Sequence, residues 1–112
     1  MSSALARGQV QTTATIADGQ TKSGAVATGE FAMGGFTTPS TFEGTTMSFE
    51  VSLDDSTFVP LKNDAGGAIS MTVAVSCGYP LPPEIFAFKS FKFVSGAAAS
   101  GAARVLGVSL KS

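Results

Sequence analysis

From Val10 onward, apolar and polar positions alternate. Val10, Thr12, Ala14 and Ile16 fall on one side of the chain, and Gln11, Thr13 and Thr15 on the other. A period of two puts successive side chains on opposite faces of a β-strand. "ADGQ" then turns the chain. A second strand is expected from about Gly24 to Phe36, with Phe31 and Met33 on one face. Gly29, Gly34 and Gly35 within it suggest bulges or breaks. "TTPSTFEG" reads as a loop. The clearest strand follows: Met47, Phe49, Val51 and Leu53 alternate with Ser48, Glu50 and Ser52. One apolar and one wet face fit an antiparallel sheet with one side on a core.

"DDST" turns the chain again and "FVPL" returns it. Pro60 has no N–H to give to a ladder, so the return strand is an edge or bulged strand. After the turn "NDAGG", Ile69, Met71, Val73 and Val75 repeat the alternation. Pro82-Pro83 ends any strand, and "PEIF" fits a single helical turn beginning at Pro83. "SFKFVS" is a strand, "GAAASGAA" a loop of small residues, and "RVLGVSL" a closing strand with Leu106, Val108 and Leu110 on one face.

The pattern gives about seven short strands joined by turns, with almost no helical period. It predicts an all-β domain, a single antiparallel β-sandwich of the jelly-roll or Ig-like kind. Phe49, Val51, Phe91, Phe93, Leu106 and Val108 are expected to point inward. Met1 to Gln9, small and polar with a single Leu, read as a flexible arm, leaving residues 10–112 as the sandwich. No internal repeat or linker divides the chain.

Composition sharpens this picture. Charged residues are 13% of the chain, against about 25% in an ordinary soluble domain. The surface is therefore built from Ala, Gly, Ser and Thr. Such a surface is weakly repelled from its neighbours and suits a protein packed against others. The net charge of −1 provides no basic field for nucleic acid. No uninterrupted apolar run is long enough to span a bilayer. The start of the chain shows no basic region followed by an apolar one, so no secretory signal is expected. A single cysteine, Cys77, rules out a disulfide within the chain and fits folding in a reducing cytoplasm.

Candidate chemistry is sparse. The chain has no histidine, which removes Ser-His-Asp and Cys-His catalysis and His-ligated zinc. Cys77 has no partner to activate it and reads as a small core or loop residue. Ser52 to Phe58 superficially resembles the Asp-box of sialidases. The run is one residue short, has Ser56 where that motif's glycine belongs, and occurs once. Asp54 and Asp55 are better explained by turn chemistry, because Asp tolerates the left-handed region and its carboxylate accepts nearby backbone N–H groups. No second acid cluster has a reason to face them as a glycosidase pair would require. Asp54, Asp55 and Asp64 are oxygen donors of the kind calcium takes, but acidic turns are common without metal. Gly96 and Gly101 have P-loop spacing, yet Ala102 and Ala103 follow in place of Lys-Ser/Thr. A sugar-binding module would stack rings on exposed Trp or Tyr; there is no Trp, and Tyr79 stands alone before a proline. The expectation is a protein that is not an enzyme, with no cofactor and no metal.

From about Phe42 onward the chain resembles a group of small virion-associated proteins of tailed bacteriophages. The resemblance rests on "FEGTTMSFEVSLDDSTFVPL", "GGAISMTV", "YPLPPEIFAFKSFKFVSG" and "AARVLGVSLK". The matching features are Phe42 to Thr45, Val51 to Phe58, Pro83 to Phe86, Phe91 to Gly96, and Ala102 to Arg104. One departure is Asp54-Asp55 where the group has Asp-Gly, which implies a different turn. The N-terminal third matches less well. The resemblance implies a non-enzymatic virion structural protein, and most simply a capsid decoration (cement) protein. Such a protein stabilises the major capsid protein lattice from the capsid surface after assembly in the host cytoplasm. It implies a homo-oligomer, with a trimer as the simplest case. Ser2, Leu5, Arg7 and Gln9 of the arm are the candidate partner contacts. Alternatives are a tail or fibre adaptor and a carbohydrate-binding adhesion module.

Overall fold

A computed structural model describes residues 9–112. Among these residues nine strands form two antiparallel sheets: β1 (Gln9–Ile16), β2 (Val26–Ala27), β3 (Met33–Thr37), β4 (Thr46–Ser52), β5 (Val59–Pro60), β6 (Ser70–Thr72), β7 (Gly78–Pro80), β8 (Ser90–Ser95) and β9 (Arg104–Lys111). The first sheet has the order β1-β9-β3-β7, and the second β2-β8-β4-β5, with β6 also paired to β4. The first and last strands therefore pair along their whole length, from Gln9↔Lys111 to Ile16↔Arg104. The fold is a β-sandwich.

The core lies where the inward faces of the two sheets meet. In β4 the alternation buries Met47, Phe49 and Val51, and antiparallel pairing sets Phe49 against Phe93 and Val51 against Phe91. Across the sandwich, β9 contributes Leu106, Val108 and Leu110, β1 contributes Ala14 and Ile16, and β3 contributes Phe36. The Phe36 ring centroid lies 5.0 Å from that of Phe93, edge to face, and so joins the sheets. Phe49 and Phe91 extend the cluster at 5.6 Å and 5.3 Å from Phe93. Burying each such ring contributes about 1.5–3 kcal/mol, and edge-to-face packing adds about 0.5–1.5 kcal/mol per pair. Pro83–Ala87 forms a single 3-10 turn that buries Ile85 beneath it.

Several elements differ from what the pattern predicts. The expected strand from Gly24 to Phe36 is two strands in different sheets: β2 pairs β8, and β3 pairs β9 and β7. Thr28 marks the end of β2: its N–H still bonds the Lys89 carbonyl at 3.0 Å, and its buried hydroxyl donates to the Phe88 carbonyl at 2.5 Å. Leu53, expected on the apolar face of β4, is 75% exposed. The strand ends at Ser52, and Leu53 already belongs to the turn. The run Ile69 to Val75 shortens to Ser70–Thr72, which leaves Val75 exposed. β7, three residues between Cys77 and the tandem prolines, is too short to show a period in the sequence. At the start, Gln9 lies in β1 rather than in an arm, because it pairs with Lys111.

Candidate interaction surface

The outward faces of the two sheets differ in charge. On the second sheet, Glu50 of β4 lies opposite Lys92 of β8, and Lys22 Nζ sits 2.8 Å from Glu50 Oε2. Lys92 Nζ also covers the Phe58 ring at 4.5 Å. The first sheet turns outward a row of small or neutral residues. Register places Gln11, Ser109 and Gly35 abreast, then Thr13, Gly107 and Thr37. Met33 and Val105 stand on the same face, 50% and 47% exposed. Lys111 is the one charged residue that the ladder places on this face among the described residues.

The relief of this face comes from missing side chains. One groove of about 450 Å³ runs over Gly35, Gly78 and Gly107 beside Gln11, Thr37 and Ser109. A second, of about 510 Å³, shares Gly35 and Ser109 and continues past Met33 to Pro80 and Leu81. Gly107 has a packing reason on this face: a Cβ there would stand 2.7 Å from Thr37 Oγ1, so the Thr37 side chain would have to give way. Gly34 points to the core side, where a Cβ would stand 2.6 Å from the Ser109 carbonyl oxygen of β9 and a methyl group does not fit. The result is a shallow, neutral, partly apolar surface, suited to a flat protein partner more than to an enclosed small ligand.

The acidic corner after β4 is a self-satisfied turn. Asp54 Oδ1 accepts the N–H groups of Ser56 and Thr57, each at 2.9 Å, and the Ser52 hydroxyl at 2.9 Å. Those bonds, led by the one from Thr57, hold the Asp54 carboxyl well below the usual carboxylate range. Asp55 takes the left-handed conformation with φ 64°. Its carboxyl is held low first by the Ser90 hydroxyl and then by Lys89, whose Nζ lies 3.4 Å away. Ser90 Oγ is buried and makes no hydrogen bond of standard geometry, so its pull on Asp55 is a looser dipolar one. Two backbone N–H groups and one hydroxyl converge on Asp54 Oδ1, which gives that carboxylate a structural role in the turn. Among the described residues no group of three or more His, Cys, Asp or Glu is placed to hold a metal ion.

An ion pair that the sequence does not signal ties the sandwich together at one end. Arg104, at the start of β9, grips Glu43 in the loop before β4 with two parallel bonds: Nε to Oε1 at 3.0 Å and a terminal nitrogen to Oε2 at 2.6 Å. The same nitrogen donates to the Ser100 carbonyl. The guanidinium holds the Glu43 carboxyl at about 2, below its ordinary 4.5. Phe42 to Thr45 and Ala102 to Arg104 are separate segments of the resemblance; this contact joins them. Opposite charges sixty-one residues apart carry no pairing signal in a single sequence.

The expected site residues are dispersed. Ser2, Leu5 and Arg7 lie outside the described residues, and Gln9 stands at the outer margin of the first sheet. Phe49, Val51, Phe91, Phe93, Leu106 and Val108 are all buried. Cys77 is exposed in the loop before β7. No helix among the described residues is long and apolar enough to cross a membrane.

No protein-family model matches the chain, and no curated protein matches it. Among solved structures it is similar to the SPBc2 prophage-derived protein YomS, with a TM-score of 0.60 and 11% identity, over 96% of this chain and 98% of that one. At that identity the likeness concerns the fold: two chains of nearly equal extent share one sandwich architecture.

Proposed function

We propose that this chain is a non-enzymatic structural protein of a bacteriophage virion, and that it decorates the capsid by laying its first sheet on the major capsid protein lattice. The observation that carries the reading is the segregation of charge: a neutral, glycine-grooved outer face on one sheet and the charged pairs on the other. A neutral face with Met33 and Val105 proud of it loses little solvation when covered, whereas burying Glu50 and Lys92 would cost more. The prophage origin of a protein with the same fold supports a phage setting, as does the resemblance of Phe42 onward to virion proteins. Multiple copies on a repeating lattice reinforce one another by avidity, so a modest single contact is sufficient.

The test is binding to capsids that lack the protein. Met33→Glu and Val105→Glu, each placing a charge on the neutral face, should reduce occupancy at least tenfold while the melting temperature stays nearly unchanged. Val59→Glu, on the exposed edge strand of the second sheet, should bind like the unmodified protein. Equal occupancy for all three would remove the first sheet as the docking face. Binding to purified tails and not to heads would make the protein a tail or fibre adaptor, and binding to host glycans alone would make it an adhesion module.

A further inference from the structure

Exposed sheet edges expose unpaired backbone groups, and folded proteins usually blunt them with short strands, proline or charge. Three edges here are blunted. β5 has two residues, one of them Pro60; β7 has three and ends in Pro80; β2 has two. β1 is different. It runs for eight residues, Gln9–Ile16, with the sequence QVQTTATI, and it has no proline and no charge. β9 occupies one side of it, and no described strand pairs along the other side.

The ladder fixes which backbone groups are free. The Thr15 carbonyl points away from β9, since it accepts the Gly24 N–H at 3.2 Å where Ile16 bridges Ser23. In a strand the N–H and C=O of one residue point to the same side, and the side alternates. Thr13, Gln11 and Gln9 therefore also direct their backbone groups outward, while Val10, Thr12 and Ala14 bond to β9. Val10 is 40% exposed on the inner side of this margin, where the opposite sheet does not reach it.

We propose that the free edge of β1 pairs antiparallel with the same edge of a second copy, about a two-fold axis at Gln11. In that register Gln11 meets Gln11, and Gln9 meets Thr13, all through hydrogen-bonded pairs. Val10 faces the copy's Thr12, so two half-bare positions cover each other. A second copy is favoured as occupant because the segment matches itself: with Thr15 taken by Gly24, the free outward-bonding residues Gln9, Gln11 and Thr13 are centred on Gln11, and without charge the strand does not repel its like. The pairing is isologous and yields a two-fold dimer, in place of the trimer that a cement protein would suggest. It joins two first sheets into one continuous neutral platform. The inference stands apart from the capsid reading, and its test needs no capsid.

The test combines sedimentation with residue-resolved amide exchange on the free protein over a concentration series. The mass should rise from 11.3 kDa toward twice that value. The amides of Gln9, Gln11 and Thr13 should gain protection together with the mass, while Val10 and Thr12 stay protected throughout. Gln11→Pro removes an outward N–H and spares the bonds to β9, so it should raise the dimer dissociation constant at least tenfold and leave the monomer folded. Should that variant unfold, Gln11→Lys provides the same test by setting like charges face to face. A monomer at every concentration, or a dimer indifferent to both changes, would overturn the proposal.

Discussion

Phe49 shows how far a single position can be read. It sits mid-strand between Met47 and Val51, so the period of two places it inward, and it is 1% exposed against Phe91, Phe93 and Phe36. Phe49→Ala should lower stability by about 3–5 kcal/mol, measured by denaturant unfolding, because the ring's neighbours cannot close the space. Leu53 continues the same alternation in sequence and is solvent-exposed. Periodicity shows which face a residue would take if the strand continued, but not where the strand stops. Here the bonds from Ser52, Ser56 and Thr57 to Asp54 stop it, and those depend on a side chain folding back on its own backbone. Asp55 in the same turn has φ 64°, where glycine is more at ease. Asp55→Gly gives up an exposed, solvent-screened contact with Lys89 and relieves the left-handed backbone. Thermal unfolding should show a stability kept or raised; a fall of several degrees would mean that the carboxylate holds β8 in place.

At the scale of elements, legibility follows strand length and glycine content. β4, β8 and β9 are long enough to display their period and have few glycines, so pattern alone outlines them. β2, β3 and β7 are short, and Gly29, Gly34, Gly35 and Gly78, in or beside them, have no side chain to mark a face. The site was legible only as a property of the whole surface. The low charge count indicates a neutral exterior, whereas the concentration of that neutrality on one sheet depends on which strands pair. The Glu43–Arg104 clasp between the loop before β4 and the start of β9 was equally hidden, and it makes a prediction of its own. A carboxylate whose folded pKa lies below its unfolded one stabilises the fold above the unfolded value and loses that contribution as pH falls through the folded one. For Glu43 the window runs from its ordinary 4.5 down to about 2, and Asp54 is shifted in the same direction. Acid titration of the melting temperature should show a decline within this window. Glu43→Gln should flatten part of it while lowering stability at neutral pH. An unchanged acid profile in that variant would mean that the clasp contributes nothing measurable.

For the whole molecule, the fold, the charge segregation and the free edge support one reading. In the proposed reading, a small sandwich with an aromatic core presents its broad neutral sheet to a repeating partner surface, and its uncapped β1 margin joins copies side by side. Asp54 and Asp55, which first suggested chemistry, belong to the turn after β4. The measurement that bears most directly on the central claim is electron microscopy of intact virions in which the proposal places this chain, at a resolution that traces its strands. The account predicts density for the sandwich on the outside of the head, repeated with the capsid lattice, with the face of Met33, Gly35, Gly107 and Val105 against the major capsid protein. Density for the chain in the tail, or on the head with the Glu50–Lys92 face turned toward the lattice, would contradict it.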